Sequence, residues 1–186
     1  MELTVKPLTR ERWADLEALF GARGCSVARG CWCMFYRRSG AMPPPPKGVT
    51  RAERAKGDLK KLVDGKVPRG LIGYRGKWPV GWIALGPRED FAKLENSPVM
   101  KRVDDEEVWS IVCFVVPSEF RGQGVAHELL RGAIAWARKR KVKVLEAYPV
   151  VEGESLWFGT ASMFTAAGFG EVARRRPDRP VMRLRL

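Results

Sequence analysis

The stretch Val108-Trp-Ser-Ile-Val-Cys-Phe-Val-Val-Pro-Ser-Glu-Phe-Arg-Gly-Gln-Gly-Val-Ala126 constrains this chain more than any other. Val108 to Val116 is apolar and rich in β-branched residues, as expected of a strand covered on both faces. Pro117 has no N–H to give to a ladder and should end that strand. Arg121-Gly-Gln-Gly-Val-Ala126 then brings two glycines to a helix start. The first N–H groups of a helix are unpaired and sit at the positive end of its dipole. Glycines let an anion approach that backbone. The residues read as a diphosphate site made by main chain, although a plain strand-to-helix turn accounts for the same spacing. A Rossmann fingerprint would need three glycines and a P-loop would need Gly-Lys-Ser/Thr; neither is present.

The elements around this stretch follow from periodicity. From Gly124 to about Arg140, Ala126, Leu129, Leu130, Ala133 and Ala137 fall on one helical face. Val142 to Tyr148 is the next strand, ended by Pro149. A strand, a helical crossover and a strand make a parallel pair. Upstream, Leu3–Leu8 reads as a first strand, and Thr9 as the cap of a helix carrying Trp13, Leu16, Leu19 and Phe20. Pro43 to Pro46 is a stiff loop. Thr50 and Glu53 form a capping box for a helix over Arg51–Val63. Leu71–Arg75 and Val80–Leu85 flank a turn as a hairpin, with Gly73 and Gly81 marking bulges or close approaches. Asp104 to Glu107 is an acidic cluster in a mostly irregular stretch. A short helix over Thr160–Ala167 should end at Gly168. Phe169–Arg176 and Val181–Leu186 then close the chain as a hairpin, the alternating arginines of the last strand implying one wet face.

With 186 residues, one domain spanning 1–186 is expected. The N-terminal Met-Glu-Leu-Thr-Val lacks a basic region followed by an apolar run, and no apolar stretch nears the ~20 residues of a membrane span. The four cysteines are therefore expected to be reduced, in a cytoplasmic protein. Cys25, Cys31 and Cys33 lie close in sequence, but a zinc site usually needs a second ligand pair, which is missing. The net charge of +13 attracts anions: nucleic acid, acidic proteins or a phosphorylated cofactor. The positive residues are spread widely and no nucleic-acid motif accompanies them, so a basic solvated surface is the expectation.

The pattern Arg121-x-x-Gly124-x-Ala126, after a strand ending in Val-Val-Pro, resembles the acetyl-CoA motif of the GNAT superfamily of N-acetyltransferases. The resemblance extends over Val108–Phe169, and the Cys31-Trp-Cys-Met34 segment is similar to that of some members. It implies an α/β (α+β) fold: a mixed, mostly antiparallel twisted sheet of six to seven strands, a parallel βαβ pair at its centre and helices on both faces. It implies direct transfer of an acetyl group from acetyl-CoA to a small-molecule or protein amine in a ternary complex. Backbone groups of Phe114, Val115 and Val116 would meet the pantetheine arm and the carbonyl. Arg121, Gly122, Gln123, Gly124, Val125 and Ala126 would hold the pyrophosphate. Phe164 stands beside the cofactor where the family usually has a proton-donating tyrosine, and Phe158 where an asparagine is frequent. A CoA thiolate is a fair leaving group, so transfer could then proceed without an acid, or Tyr148 or Ser162 would substitute, with Glu106, Glu107 or Glu146 as base. Trp32, Tyr36 and Arg37 would line the acceptor pocket, and Cys113, on a buried strand, is expected in the core. Two other readings stay open: Phe164 suits a non-catalytic acyl-CoA-binding module, and the charge suits a nucleic-acid-binding domain. The last strand could also pair across a homodimer.

Overall fold

A computed structural model describes residues 2–40, 44–63, 65, 67–151 and 156–186. In chain order its main elements are β1 (Leu3–Pro7), α1 (Trp13–Gly21), α2 (Ser26–Cys31), α3 (Arg51–Val63), β2 (Leu71–Arg75) and β3 (Trp78–Pro87). They continue with β4 (Trp109–Val115), α4 (Val125–Lys139), β5 (Val144–Ala147), α5 (Ala161–Ala166), β6 (Gly170–Arg176) and β7 (Arg179–Arg185). The strands form one sheet in the order β1-β2-β3-β4-β5-β7-β6. Every pairing is antiparallel except β4 with β5, where the α4 crossover makes it parallel. Pro43 of the expected polyproline run lies outside the described residues.

Two apolar layers cover the sheet. On one face Leu16, Phe20, Trp32 and Leu59 from α1–α3 and the following turn pack with Trp82, Val112 and Tyr148. On the other, Leu129, Leu130 and Ala133 of α4 pack with Ile83, Ile111, Phe114 and Leu145, and α5 adds Phe164. Gly73 and Gly81 face each other across β2 and β3. A Cβ on Gly73 would lie 2.6 Å from one Leu129 methyl, and one on Gly81 would lie 2.8 Å from the other. Those two missing side chains let α4 sit close on the sheet, as carbon atoms at such distances would overlap.

The central pair opens for a local reason. β4 pairs with β5 only over Trp109, Ser110 and Ile111. On its other side the register with β3 slips: Ala84 pairs with Cys113 and Leu85 with Ile111, leaving Val112 as an extra residue. Such a bulge bends its strand and increases the twist. Beyond it β4 continues to Val115 against β3, with no β5 residue on its other edge.

Local details refine the sequence reading. The Thr50–Glu53 capping box is present, with Glu53 N–H 3.1 Å from Thr50 Oγ1 and Thr50 N–H 2.7 Å from Glu53 Oε2. Thr9 makes no side-chain cap; its hydroxyl accepts from Arg12 Nη1 at 3.3 Å, and a 3-10 turn over Arg10–Arg12 precedes α1. β7 lies between β5 and β6, so neither of its edges can pair across a dimer. Arg183 does not face water: burial of its side chain is nearly complete beside Glu146, Asp104 and Glu106.

Candidate active site

The glycine-rich turn takes the shape that anion binding needs. Gly122 and Gly124 have φ of 73° and 75°, left-handed values that glycine adopts without a Cβ penalty. Gly124 precedes α4, and no side chain caps the helix there. A Cβ on either glycine would meet nothing within 4 Å, so the space above both is open. Arg75 Nη2 donates to the Gln123 carbonyl at 3.2 Å, and Nη1 to Gln123 Oε1 at 2.8 Å. In a trans peptide the N–H points opposite to the C=O, so pinning that carbonyl turns the Gly124 N–H away from Arg75.

The Arg121 side chain is taken up by neighbouring carbonyls. Its Nη2 donates to the Gly24 carbonyl at 2.6 Å and its Nε to the Val116 carbonyl at 3.0 Å. Ser118 N–H adds a bond to the Arg23 carbonyl at 2.9 Å. The guanidinium thus ties the loop after α1 to the turn. The Gln123 side chain is likewise occupied, with Nε2 donating to the Glu119 carbonyl at 2.7 Å. What this leaves for an anion is the main chain from Gly122 to Ala126.

From this turn a cavity of about 750 Å³ runs along the open edge of β4. Gly122, Gly124, Val125 and Ala126 line one part, and Val112 to Val116 another. Cys25, Cys31, Cys33, Phe35, Tyr36 and Trp157 line the part formed by α2, the segment after it and the turn before α5. Phe35 and Trp157 are exposed, whereas Tyr36 is half-buried. Burial pushes the Tyr36 hydroxyl up to about 12. Burial also raises Cys25, and a hydrogen-bonding contact with Cys33, followed by burial, raises Cys31. Cys113, expected in the core, is half-buried on the cavity wall. The part played by the cysteines could not be read beforehand, because nothing local in the sequence places residue 113 opposite residues 31 and 33.

Of the residues expected to line the acceptor pocket, only Tyr36 reaches the cavity. Trp32 is buried, stacked on Trp13 at 5.7 Å and tilted against Phe20 at 5.1 Å. Arg37 lies over the Phe91 ring, pairs with Asp90 at 3.3 Å and donates to the Arg69 carbonyl at 3.1 Å. Phe164 is fully buried, edge-on to Phe169 at 5.0 Å and to Phe114 at 6.1 Å. It reaches the cavity only through Phe114, which does line it.

The expected acids and bases lie elsewhere. Glu146 is 1% exposed; Oε1 accepts from Arg88 Nη1 at 2.9 Å and from the Tyr148 hydroxyl at 2.6 Å, and Oε2 from Arg183 Nε at 2.8 Å. With both oxygens engaged by buried side chains, Glu146 is turned to its partners rather than to the cavity. Tyr148 is equally buried, within 2.7 Å of Ser110 Oγ, and burial raises its hydroxyl well above the ordinary phenol range. Glu106 pairs with Arg183 and Arg185, and Glu107 is exposed on the loop before β4. Ser162 lies 3.1 Å from Thr160, the residue that caps α5. None of these side chains lines the cavity. The site is therefore a mostly apolar trough with the open main chain of Gly122 and Gly124 and the uncapped start of α4 at one end. Among the described residues no group of His, Cys, Asp or Glu is arranged to hold a metal ion. No described helix is long and apolar enough to cross a membrane.

Residues 39–154 match the profile of the acetyltransferase (GNAT) family. The sequence matches no curated protein. Solved structures are similar over the whole chain. A ribosomal-protein-alanine N-acetyltransferase from Brucella melitensis superimposes with a TM-score of 0.57 at 19% identity, covering 98% of this chain and 99% of that one. A putative acetyltransferase of the GNAT family from Desulfovibrio desulfuricans gives 0.56 at 13% identity, with 98% of each chain covered. A chain of the NatC complex bound to Gag peptide and CoA gives 0.53 at 17% identity, covering 100% of this chain and 99% of that one. At these identities the likeness concerns the fold.

Proposed function

The chain belongs to the acetyltransferase (GNAT) family, and from that premise we propose that it transfers an acetyl group from acetyl-CoA to an amine, directly and within a ternary complex. The observation that carries this reading is the single trough joining the uncapped start of α4 to the β4 edge freed by the Val112 bulge. A diphosphate fits the open space above Gly122 and Gly124, where backbone N–H groups and the helix dipole favour negative charge. A pantetheine arm fits along Val112–Val116, where β4 has a free edge of peptide groups. That one neighbour of the same fold was crystallised with CoA adds support.

Acetyl-CoA would supply the acyl group already activated as a thioester. The main chain of Phe114, Val115 and Val116 would orient it and donate N–H to the carbonyl oxygen as that becomes negative. The apolar walls would exclude water and hold the amine against the carbonyl carbon. Tyr36 is the tyrosine on the described cavity wall and would supply the nearby hydroxyl that Phe164 lacks. A phenol at about 12 donates a hydrogen bond to a departing sulfur well, but it is a poor source of a full proton for a thiolate whose own pKa is about 8.5. No carboxylate lies among the described cavity-lining residues, and the one imidazole there, His127, belongs to the first turn of α4 at the glycine-turn end, so the amine is expected to enter neutral. A lysine-type amine, at a pKa of about 10.4, is almost wholly charged near neutrality, whereas α-amino groups at about 7.7–8.0 are partly neutral.

The test is binding followed by turnover. The thermal transition should rise with acetyl-CoA by an amount equivalent to about 2.7 kcal/mol at 100 times the dissociation constant. A folded Gly124→Glu variant, with a carboxylate in the cradle, should lose that shift. Release of CoA thiol is then followed with aryl amines, peptide α-amines and lysine. A protein that binds acetyl-CoA but turns over none of them is the acyl-CoA-binding module that Phe164 suits. Absence of binding at millimolar acetyl-CoA refutes both.

A further inference from the structure

All four cysteines of the chain line this one cavity, although they come from two stretches separated by eighty residues of sequence. All four are free thiols. Two backbone features aim the inner ones at each other. The bulge puts Val112 and Cys113, consecutive residues, against the α1–α3 layer, while Ile111 and Phe114 pack on the α4 side. A regular strand alternates, so with Val112 in register rather than bulged Cys113 would face α4. After α2, Trp32 and Cys33 both take left-handed conformations, with φ of 46° and 50°. Strain of this kind is kept only where packing enforces it. Here Trp32 is stacked between Trp13 and Phe20, and Trp82 Nε1 donates to Cys33 Sγ at 3.2 Å.

Cys33 is buried and accepts from Trp82 Nε1, while the Cys31 and Cys113 thiols donate to the carbonyls of Ala28 at 3.8 Å and Phe114 at 3.6 Å. The neighbouring Cys33 and burial hold the Cys31 proton on, and the neighbouring Cys113 and burial hold the Cys33 proton on against an opposite pull from Cys31 and Trp82, so both stay thiols well above the ordinary range. Cys113 is the sulfur at the end of this chain of groups, half-buried and on the free edge of β4. It immediately precedes Phe114 and Val115, the residues read above as flanking a bound thioester.

We propose that Cys113 is an acylation site, taking the acyl group from the thioester when no amine occupies the cavity. The inference rests on the acyl-CoA reading of the site. In the step, Cys113 Sγ forms a bond to the acyl carbonyl carbon and the carbon–sulfur bond to CoA breaks. The Cys113 proton ends on the departing CoA sulfur. One thioester replaces another, so neither an oxidant nor a third reactant is required. The acylated side chain would still lie on the cavity wall with Tyr36 and Cys31, at the acceptor end.

The reduced protein is incubated with acetyl-CoA and no amine, and its intact mass is followed while calorimetry measures cofactor binding separately. The expected result is a gain of one acetyl group per chain, mapped to the peptide holding Cys113 and removed by neutral hydroxylamine, which cleaves thioesters and spares amides. Cys113→Ser should lose the adduct and Cys25→Ser should keep it. Mapping on the unaltered protein decides the matter even where Cys113→Ser folds poorly. If acetyl-CoA binds and no adduct forms, or the adduct survives hydroxylamine or sits on another residue, the proposal is overturned and the transferase reading stands. If acetyl-CoA does not bind, both fall.

Discussion

Glu146→Gln separates a structural from a catalytic carboxylate. Glu146 bridges β5 to two cations that are themselves buried, Arg88 with a side chain 1% exposed and Arg183 at 7%. The substitution keeps the shape and removes the charge, leaving each guanidinium with weaker compensation. Breaking a buried pair by removing one partner typically costs about 3–5 kcal/mol. The lower end applies here, since Arg88 keeps Glu95 at 3.0 Å and the Met100 carbonyl at 2.8 Å, while Arg183 keeps Asp104 at 2.7 Å. A loss of about 3 kcal/mol in a domain of this size lowers Tm by about 6–12 °C. Circular dichroism on heating measures that fall. In parallel, kcat/KM is measured against pH far below the transition, where the profile should be unchanged. An unchanged Tm with a collapsed kcat would refute the reasoning and return Glu146 to the role of base.

Two further outcomes follow from the packing and the titration. The chain has three tyrosines, and Tyr36, Tyr74 and Tyr148 are all raised above the ordinary phenol value, chiefly by burial. Their stabilising effect is complete below pH about 10 and is lost as pH rises through the folded values, about 12 for Tyr36, because the unfolded chain releases its phenolic protons first. Phenolate absorbance should therefore appear only together with loss of the circular dichroism signal; a phenolate step near pH 10 in folded protein would contradict this. For the α4 contact, Gly81→Ala puts a methyl 2.8 Å from Leu129 and 3.0 Å from Val125, an overpacking that should cost about 1–3 kcal/mol. In a double-mutant cycle of denaturant midpoints, Leu129→Ala should be less harmful in the Gly81→Ala background than alone, and strict additivity would count against the close approach.

The motif strand, its glycine turn and the amphipathic helix were legible because each is a local pattern of period two or 3.6. So were the capping box at Thr50 and the left-handed Gly168 after α5. The site was only half legible. The main-chain cradle follows from Gly122 and Gly124 alone, since the requirement is conformational. The acceptor end does not, because it depends on which side chains of residues 25–36 turn inward. The two left-handed residues there send Trp32 into the core and Cys33 to the cavity, and no propensity favours that turn at a tryptophan. Glu146 looked like a base on a strand because its partners, Arg88 and Arg183, lie 58 and 37 positions away. The alternating arginines of β7 suggested a wet face for the same reason: the acids that receive Arg183 come from the loop before β4.

The extra residue at Val112 has a consequence for how such a trough can be gained or lost. Deleting it would restore the two-residue alternation from Ile111 onward, with Cys113 in the place of Val112 and every later side chain on the face it already occupies. β4 would then lose the bend that carries its far end away from β5. In this sheet, enclosure and opening differ by the length of one amino acid, without any change in the turns or helices that frame it. A gap specified by chain length rather than by side chains leaves its walls free to vary in chemistry. The lining can be rewritten for a different acceptor while the opening itself is kept.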